Sequence, residues 1–362
     1  MYYTSIFYQI CEILIKIILL LISIAYFTIA ERKAMASIQR RKGPNIVGPF
    51  GLLQPIADGL KLVCKQMLIP TRSTKLIFLI APVAILTLSL ISWSVIPFSI
   101  INNDESIKII PKLLSEYVEF NENFLLDVEY YNILGVSKFY YSLFFLLALS
   151  SLNVYSIIIA GWSSNSKYAF LGCLRSAAQM ISYEVSIGLV LLPVVLVSKS
   201  LNLTEIVLSQ EKTGWYCYPL LPCTIIFFIS MLAETNRTPF DLPEAEAELV
   251  AGYNVEYGSL IFAMFFLGEY SNMLLMSTLI SLLFFGGWNS PFLFLPQELI
   301  LAFKLSIFCF AYIVVRATLP RYKYNQLMDI GWKIFLPIML VYFFFIISIN
   351  FVTESFIFLS YK

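Results

Sequence analysis

The 362-residue chain contains no histidine at all, few charged residues and only 15 glycines. Without histidine, the commonest general base and metal ligand is missing, so any proton chemistry must run on carboxylates, lysine, tyrosine and water. Charged residues make up 13% of the chain and hydrophobic ones 59%, with a mean hydropathy of +0.81. That balance excludes a soluble domain with one core and indicates a polytopic membrane protein. A formal charge of +1 leaves no excess of Lys and Arg for phosphate binding, which argues against nucleic acid as a partner. The six cysteines (Cys11, Cys64, Cys173, Cys217, Cys223 and Cys309) form no Cys-x-x-Cys pair, and most lie in or beside apolar runs. Neither a metal cluster nor a disulfide framework is expected, and Cys217 and Cys223 are the only near pair. The bias toward Ile, Phe, Tyr, Leu and Asn fits an AT-rich genome such as an organelle's.

What is present is a series of apolar runs, each long enough, at roughly 20 residues, to cross about 30 Å of hydrocarbon as a helix. Barrel strands would be shorter and alternating. The runs predict an all-α, polytopic fold of about eight transmembrane helices: roughly 8–30, 76–98, 139–161, 179–198, 217–235, 257–280, 298–318 and 333–357. The first run leads straight into Ala30-Glu31-Arg32-Lys33 without a small-residue cleavage site, so a retained first helix is expected. The sixth continues apolar to Gly286-Gly287, too short for two spans, and reads as one tilted helix with an interfacial extension. No internal repeat or Pro/Gly/Ser linker divides the chain, so residues 1–362 are expected to form one integral-membrane domain.

Eight spans place sixteen Lys and Arg on one side, from Arg32 through Lys333, and six on the other, Lys108, Lys112, Lys138, Lys199, Lys212 and Lys362. The positive-inside rule then sets the even-sided loops toward the cytoplasm or matrix and both termini the other way. Three segments stand out from the spans: an inside loop at 31–75, an outside loop at 102–137 with seven acids, and an inside acidic loop at 234–256.

In the first of these, Gly43-Pro44, Gly48-Pro49 and Pro55 force repeated turns beside the membrane. From Ile56 the apolar residues Leu60, Val63, Cys64 and Met67 alternate with Asp58, Lys61 and Lys65 at helical spacing, which predicts an amphipathic helix lying in the interface. Such a helix either anchors the protein on anionic lipid or forms, with the first span, the lips of an opening for a lipid-soluble ligand.

The acidic loop sets six carboxylates against one arginine. A carboxylate is costly near hydrocarbon unless paired, hydrated or protonated, so the cluster suggests proton handling; the alternative is a solvated loop. Asp241-Leu-Pro-Glu244 also matches a helix start, with Asp241 and Glu244 as caps and Gly252 ending the helix. Glu244 and Glu248 would then share a face as repelling like charges. Three further acids, Glu184, Glu234 and Glu269, sit in or at the ends of spans, where an acid at mid-span costs about 2.5–3.5 kcal/mol and is functional by default. The structural alternative is interhelical ion pairing with Arg175, Arg237, Arg316 or Arg321.

These motifs carry a resemblance. The runs at 30–45 (Ala-Glu-Arg-Lys-Ala-Met-Ala-Ser-Ile-Gln-Arg-Arg-Lys-Gly-Pro-Asn), 51–62, 177–184 (Ala-Ala-Gln-Met-Ile-Ser-Tyr-Glu), the acidic segment and the stretch from Arg316 to Asp329 resemble, in order, the family of subunit 1 of respiratory complex I, known in bacteria as the H subunit. The resemblance implies an eight-helix core membrane subunit of the proton-pumping NADH:ubiquinone oxidoreductase. It implies ubiquinone as substrate, with NADH, FMN and iron–sulfur clusters held only by partner subunits. Its partners would be the quinone-site subunits of the peripheral arm, neighbouring membrane-arm subunits and membrane lipids.

By the same resemblance, Glu184, Glu234, Asp241, Glu244, Glu246, Glu248, Glu256 and Glu269 belong to an acidic proton path. Arg32, Gln39, Arg41, Gln54, Asp58 and Arg237 frame the quinone opening, with Arg175, Arg316 and Arg321 as further cations and no residue in covalent catalysis. The wording of the motifs is closer to the mitochondrial form, which implies the inner membrane with termini toward the intermembrane space; the alternative is a bacterial plasma membrane. The 102–137 segment is longer than the family pattern. Two competing readings stand beside this one: an independent proton-coupled carrier, whose paired broken helices and inverted halves are not evident here, and a structural adaptor whose acids only form salt bridges.

Overall fold

The computed structural model describes residues 2–98, 139–241, 252–289 and 296–360, and every regular element among them is helical. The outside loop at 102–137, and Glu244, Glu246 and Glu248 with the helix expected from Asp241 to Gly252, lie outside the described residues.

In chain order the helices are α1 (Tyr2–Ile38), α2 (Gln54–Cys64), α3 (Lys75–Trp93), α4 (Ser142–Ser163), α5 (Lys167–Ser198), α6 (Leu203–Thr213), α7 (Leu221–Glu234), α8 (Ser259–Phe284), α9 (Gln297–Thr318), α10 (Tyr324–Asp329) and α11 (Leu336–Ser360). Seven of the resulting segments are long and apolar enough to cross a membrane, the last being α10 and α11 joined through a π-helical turn at Ile330–Phe335. The remaining predicted span, the fifth at 217–235, is shorter than expected: α7 has only 14 residues, about 21 Å of helix at 1.5 Å per residue. Residues 217–220 form turns instead, and Pro222 fits only the first turn of a helix, so α7 starts there.

Other boundaries moved for equally local reasons. The fourth span begins not at 179 but at Lys167, because Ser166 caps α5 by accepting from the Ala169 N–H at 3.3 Å. The first span does not end at 30; α1 runs to Ile38, with the chain leaving the helix at Arg40, φ 55°. The sixth run is one helix, α8, followed by Gly286 and Gly287, both at positive φ. Its C-terminal carbonyls are capped by Lys304 of α9, whose ammonium donates to Phe285, Gly287 and Asn289 at 2.7–2.8 Å. α6, capped by Asn202 and ended by Gly214, was not foreseen. Gly252, where the expected helix would end, stands at φ 56° and opens a short 3₁₀ turn, Gly252–Asn254. Cys217 and Cys223 are both free thiols.

α8 is the central helix, packed against α1, α2, α3, α7 and α9, and it buries Ser271, Ser277, Thr278 and Ser281 along with its apolar residues. Each buried hydroxyl on it finds a partner. Ser277 and Thr278 donate back to carbonyls of the preceding turn, and Ser271 accepts from the Trp93 indole at 3.0 Å, which ties α3 to α8. α2 buries none of its residues; Ile56, Leu60 and Val63 are all more than half exposed. That is the outward apolar face expected of a helix lying in the membrane interface.

Close packing fixes the return of the acidic loop onto the bundle. A Cβ on Gly172 of α5 would stand 2.6 Å from Gly252 Cα and 2.9 Å from Gly252 C, both backbone atoms that cannot move aside cheaply. Gly188, on the same helix, has nothing within 4 Å of such a Cβ. Gly172→Ala is therefore expected to destabilise the protein by about 1–3 kcal/mol. Gly188→Ala should leave stability unchanged or raise it by up to about 1 kcal/mol. Thermal unfolding midpoints of the two purified variants measure the difference, and equal midpoints would refute the close approach.

Candidate functional site

The end of α7 and the turn after it carry Glu234, Arg237 and Asp241, yet all three are buried, at 6%, 5% and 6% exposure. The solvated-loop alternative is thus excluded for residues 234–241. The turn is held from below and from the side. The Thr235, Asn236 and Arg237 amides donate to Met231, Ala233 and Leu232, with Asn236 in the left-handed region it tolerates better than most residues. From α5, the Gln179 side-chain amide donates to the carbonyls of Ala233 and Phe240, each at 2.8 Å, bracketing the turn.

Arg237 projects from this turn between two acids. Its guanidinium is 3.9 Å from Glu31 Oε1, 3.9 Å from Glu269 Oε2, and 4.7 Å from the centre of the Tyr270 ring. Glu31, near the end of α1 and 3% exposed, also pairs with Arg316 from the last turn of α9 and accepts from the Tyr270 hydroxyl at 2.5 Å. Glu269 accepts from the Tyr253 hydroxyl at 2.5 Å. Two carboxylates and two guanidiniums thus form a formally neutral group, with one tyrosine on each carboxylate. At its edge Arg321 pairs with Asp241 at 2.9 Å.

Beside this group lies an internal cavity of about 60 Å³ whose lining includes Glu184, Glu234, Ser150, Asn153 and Asn272. Its lining is mostly apolar, chiefly leucine, but at this size it has room for several water molecules along the polar side chains that face it. Ser150 Oγ stands 3.4 Å from Glu184 Oε1, and Glu234 Oε2 is buried with no hydrogen-bond partner among the described residues. The cavity and the ion group are linked by two short stretches of chain. Glu234 and Arg237 share the turn after α7, and Glu269 and Asn272 share one face of α8 three residues apart.

The sequence-predicted residues therefore fall into three sets. Glu184, Glu234, Asp241, Glu269, Arg237, Arg316 and Arg321 converge on the ion group and its cavity. Arg237, placed at the quinone opening by resemblance, stands inside the ion group. Arg32, Gln54 and Asp58 meet on the first loop, with Arg32 to Asp58 at 2.7 Å and Gln54 to Asp58 at 2.9 Å, whereas Arg41 donates to Gln39 at 2.7 Å as a separate exposed pair. Glu256 is half-buried, and Arg175 is half-buried on α5.

Sequence reasoning missed Glu31, Tyr253 and Tyr270. For Glu31 a signal existed: Ile24 and Phe27 are buried on one face of α1, and Glu31 continues that face at i+7 and i+4 while Arg32 turns outward. Among the described residues no three His, Cys, Asp or Glu side chains gather as a metal site. The donor set of the described residues does not fit an iron–sulfur cluster.

Fold and site together define a polytopic α-helical membrane protein built around a buried, internally neutralised ion group. The family model described as NADH dehydrogenase matches residues 11–347, and the chain belongs to that family. It is 52% identical over 347 residues to NADH-ubiquinone oxidoreductase chain 1 of Chondrus crispus, covering 93% of this chain and 96% of that protein. To chain 1 of Triticum aestivum it is 53% identical over 335 residues, 91% of this chain and 93% of the other. To the H subunit of NADH-quinone oxidoreductase from Ehrlichia ruminantium (strain Gardel) it is 51% identical over 353 residues, 95% and 90% respectively.

Removing one partner of a buried ion pair leaves the other charged and desolvated, at a cost of about 3–5 kcal/mol. Glu31→Gln keeps the shape but uncovers Arg316 and Arg237, and because Arg316 is 30% exposed the loss is expected near the lower end, about 3 kcal/mol. Adding Arg316→Met should restore part of it. The unfolding midpoints of the two single variants and the double variant measure the coupling. Losses that simply add would refute it.

Proposed function

We propose that the chain works as a core membrane subunit of an NADH:quinone oxidoreductase, complex I, where it frames part of the ubiquinone chamber and carries the acidic path that couples quinone reduction to proton translocation. The observation that carries this reading is the placement of Glu31, Glu269 and Arg237 in one buried group that abuts the cavity of Glu184 and Glu234. The relatives named as chain 1 and as the H subunit of such oxidoreductases support the assignment to the complex.

In this reading the amphipathic α2 and the end of α1 border the opening through which a lipid-soluble quinone enters from the membrane, with Arg32, Gln54 and Asp58 on its rim. Electrons from NADH, arriving through FMN and iron–sulfur centres on partner subunits, reduce the quinone. Each quinone molecule takes two electrons and two protons to become the quinol. The negative charge that develops before protonation attracts Arg237 and Arg316, and any shift of these guanidiniums alters the field at Glu269 and Glu31. Proton exchange along Asp241, Glu269, Glu234 and Glu184, through water in the cavity, then conveys that change along the membrane arm. The chain itself contributes positioning and electrostatics rather than covalent chemistry. It sits in the mitochondrial inner membrane with its termini toward the intermembrane space, a bacterial plasma membrane being the alternative setting.

Two experiments test this. In the assembled enzyme reconstituted into liposomes, Glu234→Gln and Glu269→Gln are expected to lower coupled proton transfer about tenfold or more, each tenfold corresponding to about 1.4 kcal/mol on a barrier. Unchanged quinone reduction and proton transfer in both variants would sink the path. A photoreactive quinone is expected to label residues within 31–75; labelling confined to partner subunits would count against the opening.

A further inference from the structure

We propose that Gln179 is a positioning residue for the coupling reaction: from α5 it holds the turn that aims Arg237 between Glu31 and Glu269, and it ties that turn to the helix that carries Glu184. The functional half rests on the reading above, in which Arg237 answers charge that develops on the quinone.

One side chain makes the hold at two points. The Gln179 amide donates to the carbonyls of Ala233 and Phe240, at the two ends of the turn, each at 2.8 Å. Between those ends Arg237 uses both of its own backbone groups inside the turn. Its amide donates to Leu232 at 3.2 Å, and its carbonyl accepts from the Phe240 amide at 2.8 Å. The backbone from which the guanidinium projects is therefore set by the turn, and the place of the turn beside α5 is set by Gln179. The rest of the amide points to the same role. Gln179 is fully buried, and its Oε1 has no hydrogen-bond partner among the described residues. A side chain that only filled the space between α5 and the turn would be apolar, because a bare buried acceptor gives up its hydration for no return. The two donated bonds are what glutamine supplies here and an apolar residue of the same length does not.

The hold extends along one face of α5. Tyr183, one helical turn after Gln179, packs its ring 5.8 Å from that of Phe240 and donates from its hydroxyl to the Leu327 carbonyl at 3.1 Å. Phe240 also stacks on Tyr322, with ring centres 5.6 Å apart, and the Pro239 carbonyl accepts from the Tyr322 amide at 3.1 Å. The far end of the turn thus rests on α5 and on the segment between α9 and α10. Glu184 follows Tyr183 directly and lines the cavity with Glu234. A displacement of α5 therefore moves Glu184 and the turn of Arg237 together, which gives the cavity and the ion group one shared rigid element.

The test uses the assembled enzyme carrying Gln179→Met, which keeps the length and removes both donors, imaged by electron cryo-microscopy and assayed in liposomes. Arg237 is expected to leave its midway place by about 1 Å toward one acid, and coupled proton transfer to fall about tenfold or more, as misplacement on that scale does to a reaction. NADH oxidation by a water-soluble acceptor, assigned above to partner subunits, should be unchanged and checks assembly. Adding Gln179→Met to Arg237→Lys should cause no further loss, because Gln179 acts through the arginine. An Arg237 that stays midway in the Gln179→Met map, or losses that add in the double variant, would each overturn the proposal. Arg237→Lys alone separates the two levels. If it lowers proton transfer and Gln179→Met does not, the function proposed above stands and the role of Gln179 falls; if neither lowers it, both fall. Should Gln179→Met fail to assemble, a map of the unsubstituted enzyme decides: both bonds formed upholds the role, and a Gln179 amide out of reach of the Ala233 or Phe240 carbonyl overturns it.

Discussion

The buried guanidinium of Arg237 is the constraint on which the rest of this structure depends. An ion moved out of water costs several kcal/mol even after relaxation, and geometry must return it through opposite charges and hydrogen bonds. Here Glu31, Glu269 and the face of Tyr270 supply the return, from helices that are far apart in sequence. Meeting that requirement dictates local shape. α7 must stop short so that the turn after it can deliver Arg237 into the bundle, α1 must continue past its apolar run to deliver Glu31, and α9 must end beside both to deliver Arg316. Gln179 fixes the turn between Ala233 and Phe240, so the arginine has little freedom to seek other partners.

Two carboxylates sharing two guanidiniums behave differently from two isolated pairs. Arg237 stands 3.9 Å from each acid, longer than a tight bidentate contact, so it is held between Glu31 and Glu269 rather than committed to one. Each carboxylate has a second donor of its own, Tyr270 for Glu31 and Tyr253 for Glu269. A small movement of the arginine toward one acid weakens its attraction to the other without uncovering either completely. In the proposed function, that arrangement would carry a change of charge from one end of the group to the other at a cost lower than breaking a pair outright.

Much of the fold was legible because membrane burial leaves a coarse, robust pattern. Apolar runs of spanning length located every long helix, and periodicity located α2 with its exposed Ile56, Leu60 and Val63. Boundaries were less legible, since they turn on single residues: the Ser166 cap that starts α5 early, or the Pro222 that delays α7. α6 was missed because its few buried positions, Leu203, Ile206, Val207 and Gln210, carry too short a pattern to stand out. For the site, an acid inside an apolar run is conspicuous, so Glu184, Glu234 and Glu269 were found. Partnership was not legible, because Glu31 and Arg316 are 285 residues apart and no local pattern joins them. Glu31 also looked like a surface acid beside Arg32 and Lys33, and only the continued helical face of Ile24 and Phe27 points it inward.

The same geometry bears on the structural-adaptor reading. Acids that served only to bind helices together would be expected to be fully matched, since an unmatched buried acceptor costs about 1–3 kcal/mol for nothing in return. Glu31, Glu269 and Asp241 are matched, and by that criterion alone each is sufficiently explained as structure. Glu234 is not: one carboxylate oxygen has no hydrogen-bond partner among the described residues, and the side chain lines a mainly apolar cavity that it shares with Glu184. A helix-joining role gives no reason for placing a second carboxylate there, where the two acids oppose each other with no arginine between them. Exchange of protons with water in the cavity does give one, because it lets the pair change its total charge. In the proposed function the arginine group would supply the fixed field, and the Glu184 and Glu234 cavity the variable charge that responds to it.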